Sequence, residues 1–305
     1  MAFLKAEKNI SSAADKFVQN PFGDDYEYVK DLVRSDFVFL QHGVTKDDMS
    51  SWLKRWNKDI KLLCCASIRE QQSFVENEKY GYSDAVVKLT GFARHDKLIN
   101  AKEPSKKRLL IAPTWRKYLA GELEPSTGKF LRNPAFKESD YFAFYSKLLN
   151  DAQIALALEA QGFETHFLLH PAFLNNLGDF SSSYAQIQSE YNYAKEFVES
   201  SIMITDYSSV AFDFAILKKP LLYAQFDKER FYETQWDRGY FDYEADGFGP
   251  VCLDYDSLKE NLLHILENPA MDSEYSGRVD SFFGPLDGKA CERILNELRN
   301  MINVR

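Results

Sequence analysis

The segment SIMITDYSSVAFDFAILKKPLLY, residues 201–223, decides the fold. Ile202, Met203 and Ile204 read as a buried strand, 205–209 as a tight polar turn, 210–217 as a helix and 220–223 as a second strand. A strand that enters a helix through two serines puts hydroxyls and free backbone N–H groups at the positive end of the helix dipole. A phosphate is stabilised there. Ser, Thr or Asp before a helix is equally the ordinary way to cap one. Taken alone, the turn favours capping, and its meaning depends on the rest of the chain.

Working outward, strands and helices alternate. FVFLQHGV (37–44), KLLCCAS (61–67) and AVVKLTGF (85–92) read as strands, with a helix over 68–78. LLIAPTW (109–115), ETHFLLHP (164–171) and GPVCLDY (249–255) read as strands too. Helices are expected over 140–161, 193–200, 256–268 and 288–302. Apolar runs separated by helical segments indicate parallel sheets covered on both faces. The charged stretch NAKEPSKKR (100–108) reads as a linker, and 118–138 as a long polar loop of the kind that serves as a lid or binding loop. The expected division is 1–104 for a first Rossmann-like domain, 105–287 for a second and 288–305 for a C-terminal helix. The opening 30 residues are polar and weakly patterned.

The chain has 305 residues, 45% hydrophobic, enough for two domains with separate cores. A net charge of −9 argues against a general nucleic-acid binder. Two local basic patches stand out: 102–108 running on to Arg116 and Lys117, and the stretch Trp52, Leu53, Lys54, Arg55, Trp56 and Lys58. Each reads as a solvated face or as contact with an anionic substrate or membrane, at even odds. None of the four cysteines has zinc or CxxC spacing, so all four are expected as reduced thiols of a cytoplasmic protein. No apolar run approaches transmembrane length, which leaves peripheral contact as the only expected relation to a membrane.

Four strand-end groups and one helical carboxylate could carry chemistry. His42, in LQHGV, lies past a strand end and before Gly43, where active sites of parallel sheets sit, and a histidine can take a proton from a hydroxyl near neutral pH. Its bland reading is a residue that hydrogen-bonds the turn. His170 also ends a strand, with Pro171 suited to the first turn of a helix, and can donate to a phosphate. Arg116 follows APTW, and a guanidinium pairs with phosphate through two parallel bonds; its bland reading is a surface arginine. Arg94, in TGFARHD, reads equally as a ligand group or as part of a buried network with Asp96. Asp213 sits one helical turn after Ser209 and holds the turn or touches ligand. Phe212 and Phe214 read as core. No Walker or GxGxxG loop and no metal-spaced acidic pair occurs.

Together LQHGV, TGFARHD, LLIAPTWR, FLLHP and SIMITDYSSVAFDFAILKKPLLYAQFD, in this order, resemble the CDP-glycerol glycerophosphotransferase family, the teichoic-acid polymerase and primase group. The resemblance implies a GT-B architecture of two Rossmann-like parallel-sheet domains with the active site in the cleft. It implies transfer of a polyol phosphate, glycerol phosphate first, from a CDP-polyol to a hydroxyl of a growing teichoic-acid-like or capsular polymer on a lipid-linked carrier, with release of CMP. His42 matches the family's proposed base and His170 its second essential histidine. Arg116, Ser208 and Ser209 match positions expected around the diphosphate, with Gly43, Arg94, Pro171 and Thr205 beside them. Asp206 and Asp213 match the acidic positions of the same motif. No cofactor or obligatory metal is expected, and the location implied is the cytoplasm or the inner face of the cell membrane. One departure stands out. His42 comes early enough that the first domain is expected to be partial, short of about three strands at roughly 30 residues for each βα unit, so the chain reads as a fragment of a longer enzyme or as one with a reduced acceptor domain over 1–35. The alternatives are a GT-B glycosyltransferase using a nucleotide sugar and a nucleotide-binding module without activity.

Overall fold

The structure is a computed structural model that describes residues 6–15, 18, 22–102, 105–124 and 128–303. Residues 103, 104 and 125–127, in the expected linker and long loop, lie outside it. The described chain divides into two compact units, residues 1–100 with 281–305, and residues 101–280. The C-terminal helix, expected as a separate element, therefore belongs with the first unit.

The first unit is a four-stranded parallel sheet in the order β1 (Lys8–Ser11), β2 (Asp36–Phe39), β3 (Ile60–Cys65) and β4 (Val87–Leu89). β1 falls in the weakly patterned opening and pairs in parallel with β2. β3 is central and almost wholly apolar, as expected for a strand covered on both faces. Helix α1 (Ile68–Glu76) follows β3, and α2 (Ala93–Ile99) follows β4. The closing helix, Ala290–Asn303, is tied to α2 by Asp96, whose two carboxylate oxygens accept from Ala290 N and Cys291 N at 2.8 Å each. Asp96 thus caps the N-terminus of a distant helix, a role the Arg94–Asp96 network considered from sequence did not include.

The second unit holds six parallel strands in the order β12-β11-β10-β5-β8-β9. These are β5 (Arg108–Ile111), β8 (Glu164–Leu168), β9 (Ala185–Gln188), β10 (Ile202–Thr205), β11 (Leu221–Ala224) and β12 (Val251–Cys252), with a small antiparallel hairpin, β6 (Leu123–Glu124) and β7 (Lys129–Phe130), in the long loop. Counted within the unit, the order is 3-2-1-4-5-6. The strand order reverses between β5 and β10, and ligands of such sheets bind beyond the carboxyl ends of the strands at that reversal. The 201–223 segment supplies β10, the turn and α6 (Val210–Ala215), so its polar turn lies at the reversal.

The helix expected over 140–161 is two: α3 (Asp140–Leu148) and α4 (Ala152–Gln161). The break has a local cause. Asp151 turns its carboxylate onto Gln153 N and Ile154 N and starts a new helix, which ends at Gly162 in the left-handed region at φ +70°. Phe212 and Phe214 are core, as expected. Two cations of the basic stretch before β5 are paired internally. Arg108 is buried against Glu164, Glu196 and Glu199, and Lys106 pairs with Glu199.

Candidate active site

In the first unit, three strand ends carry the candidate residues and their supports. β2 ends at Phe39, and the following loop carries Gln41, His42 and Gly43. Gln41 is buried and holds φ +66°, a left-handed conformation uncommon for a residue with a side chain. Such a backbone persists only where its surroundings impose it. They do so here: Arg94, from α2, donates to Gln41 O at 3.0 Å, and Gln41 Nε2 reaches Thr45 Oγ1 at 3.4 Å. At the other end of the loop, Thr45 N donates to Glu70 Oε1 at 2.7 Å.

His42 stands at the crest of this loop, exposed, with Gly43 buried behind it. Its ring is 6.2 Å from that of Phe39, and among the described residues no hydrogen bond reaches the imidazole. Burial of its inner edge and then the nearby Arg94 charge lower its pKa from the ordinary 6.5, which keeps the ring neutral at pH 7. Arg94 packs its guanidinium 4.4 Å from the Phe92 ring centroid.

In the second unit, β8, β5 and β10 end side by side. His170 follows β8 and its Nδ1 accepts from Ala172 N at 3.1 Å, with Pro171 opening the helical turn. That bond assigns the proton of the neutral ring to Nε2, leaving a donor directed away from the backbone. Trp115, at the end of β5, stacks on His170 (centroids 6.0 Å, planes 23° apart) and also touches Phe130 of the hairpin. Burial pushes the His170 pKa down to about 4.

The turn after β10 is bound to the end of β5. Thr205 Oγ1 donates to Ala112 O at 2.8 Å. Asp206 Oδ1 accepts from Thr114 N at 2.9 Å and Tyr207 N at 2.6 Å. Thr205 and Asp206 are both fully buried, so each holds the turn and offers no surface to a ligand. Asp213 is buried on α6 as well. Ser208 and Ser209 are half-exposed. Ser208 Oγ accepts from Val210 N at 3.3 Å, while Ser209 makes no capping bond, so its hydroxyl is available.

Arg116 requires a correction. The sequence suggested a guanidinium facing a diphosphate, or a surface arginine. The side chain is fully buried. Its Nη1 meets Asp206 at 2.9 Å and Thr114 O at 2.7 Å, and it holds Asp227 through two bonds of 2.7 and 3.0 Å. Tyr141, Tyr207 and Phe231 surround it at about 5 Å, within cation–π range. Burial alone would lower its pKa, but Asp206 and Asp227 outweigh that and hold it well above the ordinary value. Arg116 fixes the strand ends; it does not face outward.

The sequence reading also passed over Gln41, Glu70 and Asp227, and gave Trp115 only a place in the core. Only Glu70 had a local signal, the Ser67-x-x-Glu70 pattern of a capping box. Ser67 Oγ does accept from Glu70 N, but the carboxylate reaches beyond the helix to Ala66 N and Thr45 N. Among the described residues no group of three His, Cys, Asp or Glu is placed to hold a metal ion.

A unit with a six-stranded 3-2-1-4-5-6 sheet and a unit with a four-stranded parallel sheet, each carrying a histidine past a strand end, define a Rossmann-like α/β protein of the GT-B-like type. Residues 5–300 match the family described as CDP-Glycerol:Poly(glycerophosphate) glycerophosphotransferase, and the chain belongs to that family. It is 38% identical over 303 residues to the minor teichoic acid biosynthesis protein GgaB of Bacillus subtilis (strain 168), covering 98% of this chain and 33% of that protein. It is 35% identical over 137 residues to the teichoic acid glycerol-phosphate primase of the same organism, covering 44% of this chain and 34% of that one. The chain thus spans about a third of the length of these two relatives. Among solved structures, the wall teichoic acid polymerase TagF matches with a TM-score of 0.61 at 18% identity, covering 97% of this chain and 73% of that one. A variant of that polymerase soaked with CDPG matches at a TM-score of 0.58 and 18% identity, over 96% of this chain and 72% of that one.

Arg116→Met is expected to destabilise the second unit by about 3–5 kcal/mol, because it strands Asp206 and Asp227 without their cation. Urea unfolding followed by tyrosine and tryptophan fluorescence reads this, and a loss under 1 kcal/mol would contradict the structural role. For His170, a folded pKa below the ordinary value favours the neutral ring in the native state. Its contribution to stability is therefore present above pH 6.5 and lost as the pH falls toward 4. His170→Gln should flatten the decline of unfolding free energy over that window.

Proposed function

We propose that this chain transfers a polyol phosphate, glycerol phosphate first, from a CDP-polyol to a hydroxyl of a growing teichoic-acid-like polymer, releasing CMP. Membership of the glycerophosphotransferase family supports the donor and the reaction class. The observation that carries the proposal is the placement of His42: a neutral, exposed imidazole on a loop clamped at both ends, past a parallel strand end. The acceptor hydroxyl gives its proton to His42 as its oxygen bonds to the glycerol-bearing phosphorus. The bond from that phosphorus to the bridging oxygen breaks, and the electron pair leaves with CMP. His170 Nε2–H donates to a phosphate oxygen, and the Ser208 and Ser209 hydroxyls bind others. Catalysis here is positioning plus fixed dipoles, with acid–base assistance by His42 contributing about 10²–10⁴-fold.

The reaction is proposed to need no obligatory metal. The buried Asp206 of the turn is committed to Arg116 and two backbone N–H groups, so it offers no open carboxylate to a cation. A lipid-linked acceptor is proposed to bring the protein to a membrane surface through Trp56. That indole is 65% exposed, is held against Gly81, where a Cβ would stand 2.4 Å from the ring, and is flanked by Lys54 and Arg55. This fits peripheral contact; among the described residues no helix is long and apolar enough to cross a membrane.

His42→Ala should reduce transfer of labelled glycerol phosphate from CDP-glycerol by at least about 10²-fold. Thermal stabilisation by CDP-glycerol should persist, and neither property of the unmodified protein should change with EDTA. Loss of donor binding would remove the base assignment; stabilisation by UDP-sugars in place of cytidine ligands would favour the glycosyltransferase reading. Trp56→Ala should weaken co-sedimentation with anionic vesicles without changing donor affinity, and equal sedimentation of the two proteins would exclude Trp56 as the contact.

A further inference from the structure

Among the described residues, the histidine proposed as base has no hydrogen-bonded side chain to orient it. Catalytic imidazoles are commonly held by a carboxylate on the second ring nitrogen, and no such bond reaches His42 among the described residues. Its position is set through the backbone of the loop 41–45 alone. One end of that loop is held by Arg94 at Gln41 O, and the other by Glu70 at Thr45 N.

Glu70 is unlike an ordinary helix-capping glutamate. It is fully buried, and each oxygen takes one backbone N–H at 2.7 Å: Thr45 N on the His42 loop and Ala66 N at the end of β3. The helix donates back, with Glu70 N on Ser67 Oγ at 3.0 Å. One carboxylate thus joins the His42 loop to the central strand of its sheet and to the first turn of α1. We infer that Glu70 is the positioning residue of the transfer reaction, acting on His42 through the Thr45 N–H. This rests on the proposed role of His42 and adds to it a second residue 28 positions away whose only route to the chemistry is the loop.

The carboxylate form is what the geometry requires. A glutamine at 70 has one acceptor oxygen, and its NH2 would face one of the two N–H groups, so one of the two bonds is lost. Protonation of Glu70 has the same effect. Burial pushes its pKa up to about 8 against the lowering effect of the two N–H bonds and of Arg94. The charged or titratable groups that act with it are Arg94 from α2, Cys64 and Cys65 from β3 and Tyr80 from the loop after α1. Both thiols and the phenol are pushed further up by burial, so they stay neutral where Glu70 titrates.

The test uses the full chain and two readouts. Assayed above pH 8, where Glu70 carries its charge, Glu70→Gln should lower kcat by about 10- to 100-fold, the cost of misplacing a reacting group by about 1 Å, and the gap should close as the pH falls through the Glu70 pKa of about 8. Its CDP-glycerol affinity should stay within about twofold. The double variant His42→Ala with Glu70→Gln should be no slower than His42→Ala alone, since residues that act as a unit are non-additive. The second readout needs no activity. The chain has five histidines, so each can be followed in a spectrum labelled at the imidazole Cε1. Glu70→Gln should displace the His42 signal and its titration and leave those of His166, His170 and His264 in place. If the variant does not fold, the unmodified protein still decides: the His42 signal should show a second inflection near pH 8 that those three lack. An unmoved His42 signal in a folded variant with wild-type kcat, or a single His42 inflection in the wild type where the variant fails to fold, overturns the inference. A wild-type chain that binds no CDP-glycerol and transfers nothing would remove the functional reading while leaving the spectral coupling intact.

Discussion

The second unit depends on the burial of one cation, Arg116, between Asp206 and Asp227 at the point where the strand order reverses. Adjacent parallel strands diverge at that reversal, because the helices that follow them pack on opposite faces. The opening is what admits a ligand, and it is also a place where two strand ends lose mutual support. A buried ion pair adds little to stability against an apolar substitute, but breaking it leaves an uncompensated charge. The cluster therefore makes the geometry of the opening all-or-none: the TDYSS turn stays where it is as long as all three charges stay together. Three aromatic rings around the guanidinium exclude water and enforce that condition.

The first unit solves the same problem with a smaller device. There a single carboxylate, Glu70, accepts N–H groups from two strand-end loops, as Asp206 does in the second unit with Thr114 N and Tyr207 N. In both units the acidic residue nearest the chemistry is buried and occupied by backbone, and the groups left open are neutral or hydroxylic: His42, His170, Ser208 and Ser209. An anionic donor would meet repulsion from exposed carboxylates at these edges. Committing the carboxylates inward keeps their orienting power and removes their charge from the surface that a diphosphate would approach.

Much of this was legible in the sequence, and the exceptions share a cause. Alternation of apolar runs and helices gave the parallel sheets, because that signal is local. β1 (Lys8–Ser11) escaped notice because it is a four-residue, half-exposed edge strand without an apolar run. β9 (Ala185–Gln188) is half polar for the same reason. The single helix expected over 140–161 ignored Asp151, a capping residue inside an otherwise periodic stretch. Arg116 was misread because its main partner, Asp227, lies 111 residues further on, and strand-end position alone cannot tell a ligand-facing guanidinium from one folded inward. The ownership of the C-terminal helix turned likewise on Asp96, 194 residues before Ala290. Residues whose role is set by a distant partner carry no local mark.

The two histidines illustrate how the surroundings, and not the residue type, separate roles. His170 is packed under Trp115 with its Nδ1 occupied and its pKa pushed down to about 4. A ring so reluctant to take a proton is a poor base at neutral pH, yet it remains a fixed neutral donor across the working range, which suits contact with a phosphate oxygen. His42 is more open, with neither ring nitrogen engaged among the described residues, and burial and Arg94 restrain its protonation. A general base works best when its pKa lies near the ambient pH. Of the two, His42 can accept a proton at modest cost and then release it to solvent. The difference in environment, more than the order of the motifs, is what separates the base proposed for the first sheet from the phosphate donor proposed for the second.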